Sequence, residues 1–129
     1  MRAAAALLML LALPAGAQEV DCANAMAQQE MNLCAAQDYE AADLALNAAY
    51  KQARAAMKGL DANMPAAERG AEAALLAAQR AWLPYRDAAC ASEGWLMHGG
   101  SAEPLVVYGC LATLTRQRTQ DLLYLAEGF

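Results

Sequence analysis

A chain of 129 residues with 14 acidic and 9 basic side chains has room for one domain and one modest core. Its net charge of −5 disfavours nucleic acid and anionic membrane as partners and steers instead toward a cationic one. A single histidine and four cysteines leave little material for metal or nucleophilic chemistry.

The first residues read as an export signal. Arg2 supplies a positive start, residues 3–13 are apolar, and Ala15-Gly16-Ala17 is a small-residue cleavage site. The apolar run is too short to hold a bilayer-spanning helix, so no stable membrane insertion is expected. Cleavage near Ala17 leaves residues 18–129 as one domain in the periplasm or outside the cell. That domain has 8 basic and 14 acidic residues, a net charge of −6.

Richness in Ala and Leu and scarcity of β-branched residues favour helix throughout. The first helix is expected over residues 27–57, with Tyr39, Asp43, Leu46, Asn47, Tyr50 and Met57 on one broad face and Gly59 as its C-terminal stop. LDANMPAAERG reads as a turn. The second helix is expected over residues 66–91, with Leu75, Gln79, Trp82, Leu83, Arg86 and Cys90 on one stripe and a kink at Pro84. SEGWLMHGGSAEP, residues 92–104, reads as a Gly-rich loop before a third helix over residues 105–126. The fold class is all-α, a small antiparallel three-helix bundle stapled by disulfides at one end.

If the first turn centres near residue 62, residues whose numbers sum to about 124 face one another. Trp82 then lies between the first two helices beside Ala42, Tyr39 and Leu46. Arg86 reaches Asp43, and Gln79 lies near Asn47. These polar pairs read as a satisfied layer that sets helix register, since breaking such a pair costs more than the pair contributes.

Nothing in the chain reads as catalytic. His98 stands beside glycines and a methionine with no partnered base or nucleophile, and Met97 with His98 falls short of a copper site. No cofactor or metal is expected. The oligomeric state is not legible.

Cys22, Cys34, Cys90 and Cys110 suggest two disulfides in an oxidising compartment. All four are expected at one end of an up–down–up bundle. The facing rule pairs Cys34 with Cys90 and leaves Cys22 for Cys110. An ideal wheel argues against this, placing Cys34 about 180° from Asp43. The rival set, Cys22–Cys34 with Cys90–Cys110, requires the segment before the first helix to fold back.

MNLCAAQDYEAADLALNAAY (31–50), AQRAWLPYRDAAC (78–90), HGGS (98–101) and CLATLTRQRTQDL (110–122) together resemble the LprI-type lysozyme inhibitor family over nearly all of the exported chain. The resemblance is carried by Asp43 with Leu46-Asn47 and Tyr50, then Gln79, Trp82, Tyr85-Arg86-Asp87 and Cys90. It implies a secreted helical domain that is not an enzyme and that binds and inhibits lysozyme. The chain departs from the family's pattern at Ala27, where relatives often place a capping Thr, leaving Asn24 or a frayed first turn. It departs again at Pro84, and in a long connection around residues 58–68. The family motif marks structural helix positions and no inhibitory residue; for an inhibitor the candidate contact is the loop 93–103, where Trp95 supplies apolar area and His98, Gly99, Gly100 and Ser101 supply hydrogen-bond donors. The competing expectation for Trp95 is that it simply covers the end of the bundle; the alternative function is a non-enzymatic envelope protein that binds another protein and leaves lysozyme untouched.

Overall fold

The computed structural model of the protein describes residues 19–128, so the expected signal segment lies outside the described residues. Three helices follow one another: α1 (Gln28–Ala62), α2 (Ala71–Gly94) and α3 (Glu103–Glu127). Single 3-10 turns at Ala66–Glu68 and Trp95–Met97 occupy the two connections. No strand is present among the described residues.

The 35 residues of α1 include no Val, Ile, Thr or Pro, so no β-branched side chain loses rotamer freedom against the preceding turn and no ring breaks the hydrogen-bond ladder. The helix passes through Gly59, the expected stop, and ends at Ala62, where Asn63 Nδ2 donates to the Gly59 carbonyl at 3.0 Å. A glycine costs only about 1 kcal/mol inside a helix. The reason to continue lies one turn on. Asp61 accepts the N–H groups of Gly70, Ala71 and Glu72 at 2.8, 2.9 and 3.0 Å, so the last turn of α1 caps the first turn of α2. The second helix therefore starts at Ala71, and residues 66–68 form a separate turn.

At the other end of α1, Ala27 has no side-chain acceptor, and Asn24 is engaged with Asp21, so Asn24 is not the cap. Glu30 instead accepts the Ala27 N–H at 3.3 Å, half of a capping box, and the helix starts cleanly at Gln28. Pro84 lies within α2, which runs uninterrupted from Ala71 to Gly94. Its missing N–H falls on an exposed side of the helix.

Leu46, Ala49 and Ala53 of α1, Leu75 of α2 and Leu122 of α3 form the core, ringed by half-buried Tyr50, Met57, Trp82, Leu123 and Leu125. Alanines at Ala42, Ala49, Ala53 and Ala112, all buried, let the backbones of α1 and α3 approach closely. Trp82 is only half-buried, because α2 packs less tightly on α1 than α3 does. The burial expected from a position between the first two helices is thus only partial, with the indole packed against the edge of the core.

Cross-helix pairs give the sense of each element. Arg86 meets Asp43 while Glu72 meets Arg54, in opposite order along α1 and α2. Asn32 meets Ser101 and Tyr39 meets Tyr108, in the same order along α1 and α3. Cys90 meets Cys110 while Gln79 meets Arg118, in opposite order along α2 and α3. The N-terminus of α1, the end of α2 and the start of α3 thus share one end of the molecule.

Candidate functional site

Two disulfides build that end. Cys22–Cys34 and Cys90–Cys110 have Cα separations of 5.5 and 5.4 Å, within the range a disulfide tolerates. The cross-helix pairing Cys34–Cys90 and Cys22–Cys110 is therefore wrong. The facing rule holds only for residues on the hairpin face, and Cys34 lies on the far side of α1. Residues 19–27 precede the helix and turn back along it, which brings Cys22 to Cys34. Cys90 and Cys110 are buried between α2 and α3, whereas Cys22 is exposed.

Between Cys90 and Cys110 the chain makes a tighter connection than the thirteen-residue loop expected. The second helix continues to Gly94, and Pro104 sits in the first turn of α3, where its missing N–H costs nothing. A Cβ at Gly94 would stand 2.6 Å from Val107 Cγ2, so only glycine lets α2 end this close to α3. The turn Trp95–Met97 and residues 98–102 remain as the tip.

Trp95 does not cover the bundle. It is 68% exposed, and its ring stacks on His98 with centroids 3.9 Å apart and planes 24° from parallel. Leu96 and Met97 beside it are 80% and 49% exposed. Glu103 holds the turn from below, accepting the Gly99 N–H at 2.8 Å and lying 3.3 Å from His98 Nδ1. These two bonds, the Gly99 amide first and His98 second, draw the Glu103 carboxyl below its ordinary range. Gly99 takes a φ of +76°, open to glycine and strained for other residues. The Gly100 N–H is taken by the Met97 carbonyl at 2.9 Å, and the Ser101 carbonyl accepts from Asn32 Nδ2 at 2.9 Å.

This geometry corrects the expected donor set. The backbone N–H groups of Gly99 and Gly100 are spent inside the turn and hold its shape. The donors left to a partner are the Trp95 indole N–H and the Ser101 hydroxyl, while a neutral His98 ring that donates Nδ1–H to Glu103 presents Nε2 as an acceptor.

The second group of expected residues forms a layer at mid-bundle. Arg86, 6% exposed, sends Nη1 to Asp43 at 3.3 Å and to Thr115 at 3.5 Å, and Nε to Asp87 at 2.8 Å. Its guanidinium also lies 5.3 Å from the Tyr39 ring centroid and 5.2 Å from that of Trp82, a double cation–π contact. Asn47 does not pair with Gln79. It is exposed and donates to Asp43 at 3.2 Å, while buried Gln79 accepts from Arg118 Nε of α3 at 3.1 Å. Tyr50 packs on the core. The layer is saturated: no buried side-chain nitrogen or oxygen lacks a partner among the described residues.

Sequence reasoning missed Thr115, Glu103 and the Asp38–Arg116 ion pair. Arg118 falls within the expected third helix, but its partner Gln79 lies on α2. An open groove of about 470 Å³ runs along α1 and α3 past Ala41, Ala45, Gln117 and Gln120. The cation on its wall, Arg116, is paired with Asp38. No three His, Cys, Asp or Glu side chains converge as a metal site among the described residues. What the geometry does offer is an exposed aromatic–aliphatic tip held on a rigid, doubly cross-linked end, a surface suited to recognition.

The model of a family described as lysozyme inhibitor LprI matches residues 21–122, from the turn before α1 to the last buried leucine of α3. The chain belongs to that family. It is also 50% identical over 136 aligned residues to an uncharacterized protein of Rhizobium meliloti (strain 1021), with 99% of this chain and 98% of that one covered. No solved structure matches the chain.

Proposed function

We propose that residues 18–129, released by signal cleavage near Ala17, act in the periplasm or outside the cell as an inhibitor of lysozyme-type muramidases. The single observation behind this is the exposed run Trp95-Leu96-Met97 with His98 stacked on the indole, set on the cross-linked end of the bundle. Membership of a lysozyme inhibitor family supports it. Lysozymes bind polysaccharide in an open cleft with two carboxylates, one protonated and one ionised. An indole and an imidazole on a rigid turn suit such a cleft: the rings bring apolar area, and the Trp95 indole N–H and the Ser101 hydroxyl are donors for the ionised carboxylate. Rigidity lowers the entropy lost on binding.

In this role the protein takes no catalytic step. Its residues occlude a cleft and transform nothing. A turbidity assay of bacterial cell walls lysed by chicken-, goose- and invertebrate-type lysozymes, with purified protein added at micromolar concentration, tests it. Slower clearing with at least one enzyme is the expected result. Unchanged clearing with all three removes the reading and leaves an envelope interaction protein with another partner.

A further inference from the structure

The charges of this chain are segregated along the bundle. The layer of Asp43, Arg86 and Thr115 divides the described residues into two halves. On the tip side, residues 19–43 and 86–115 carry nine acidic side chains and one basic one, Arg86, for a net charge of −8. On the far side, residues 44–85 and 116–128 carry five acidic and seven basic ones, for a net charge of +2. Arg116 reaches back across the boundary to Asp38, and counting it with the tip half still leaves −7 against +1. The apolar tip therefore sits at the negative end of an electrically polar molecule.

We propose that this tip is a docking surface for a cationic protein and that the charge layout turns the bundle to meet it end-on. The proposal rests on the reading above in taking a cationic lysozyme as the partner. Exposed Trp95, Leu96 and Met97 form the contact centre, and acidic side chains such as Glu30, in the first turn of α1, and Glu93 form the rim. The charge chooses the occupant. An anionic bilayer repels the same rim, and a second copy would bring two strongly negative halves together. A partner of opposite charge gains an approach rate and an orientation, since charge complementarity acts mainly on association while buried contacts act on dissociation.

Matched double variants test this by association kinetics on an immobilised cationic lysozyme. Glu30→Gln with Glu93→Gln and Glu68→Gln with Glu127→Gln change the net charge equally, and the amide introduced at position 30 keeps an acceptor for the Ala27 N–H. All four side chains are exposed and make no ion pair among the described residues. The tip pair is expected to slow association about tenfold at low salt, with the difference fading as added salt shortens the screening length, and the far pair to stay within about twofold. Trp95→Ala is expected to speed dissociation and leave association nearly unchanged. Equal effects of the two pairs, or unchanged dissociation of Trp95→Ala, overturn the proposal even where lysis is still inhibited. Tip-selective kinetics without any inhibition of lysis uphold the docking surface and remove the inhibitor reading. Absence of binding removes both.

Discussion

Arg86 lies 3.3 Å from Asp43 across the helix interface, yet gives its shorter bond, 2.8 Å, to Asp87, its neighbour in sequence. The guanidinium is buried while both carboxylates reach solvent. The two sides of this ion pair should therefore be unequal. Arg86→Ala removes the cation, the packing of its stem and the contacts with Tyr39 and Trp82, and should cost about 3 kcal/mol. Asp43→Asn leaves Arg86 with Asp87 and Thr115 and should cost about 1 kcal/mol or less. Chemical denaturation of Arg86→Ala, Arg86→Met, Asp43→Asn and the double Arg86→Met/Asp43→Asn measures both costs and, from the last three, the coupling. Equal single costs would show that the layer is held by charge alone.

The disulfides should differ in accessibility. Cys90–Cys110 is buried and Cys22–Cys34 is exposed at Cys22. Graded reduction followed by peptide mapping is expected to open Cys22–Cys34 first, freeing residues 19–27 while α2 and α3 stay joined. Each bridge should stabilise by about 3 kcal/mol from chain entropy. Replacing Cys90 and Cys110 by Ser should cost more than replacing the other pair, because two hydroxyls are then buried. Prior opening of the inner bridge would contradict this order.

Stability and inhibition should separate at the tip. Trp95 and His98 stack mainly on each other, so replacing both by Ala should leave the melting temperature within about 2 °C, in keeping with a surface substitution. The same change should raise the concentration needed for half-inhibition of lysozyme at least tenfold. A large loss of stability would mean that the stack supports the bundle. Unchanged inhibition would move the site away from the tip.

Acid should loosen the joint between α1 and α2. Asp61 is held below the ordinary carboxylate range by the N–H groups of Gly70, Glu72 and Ala71. The folded state therefore binds a proton there less readily than the unfolded chain. Its stabilising effect is complete above the ordinary carboxylate range and is lost as the pH falls through the depressed value. Asp61→Asn should lower the melting temperature at neutral pH and flatten its decline toward pH 3. Parallel pH profiles for the two proteins would rule out Asp61 as the source.

Three helices, their order and the Asp43–Arg86 contact were legible because an alanine-rich chain with few β-branched residues has one dominant local preference and because the contact lies on the hairpin face. What failed lay off the hairpin face or depended on the third helix. Gln79 was matched with Asn47 by a rule that relates two helices, but a long cation from α3, Arg118, reaches it instead. The cysteines escaped the same rule because Cys34 faces away from α2 and the segment before α1 folds back. At the tip, glycines and a proline marked the turn, but spacing cannot say whether an indole lies over the bundle end or stands in solvent. That depends on Glu103, which pins the turn from the first residue of α3.

The bond between Cys90 and Cys110 turns the tip into a closed ring. A protease that cuts the exposed turn anywhere in between makes a nick without releasing a fragment, since the two chain ends stay joined by sulfur. Such a cut would free the tip of its shape while leaving α2 and α3 in place. The same closure marks the segment as replaceable: another sequence spliced between the two cysteines would inherit a rigid, pre-aligned pedestal.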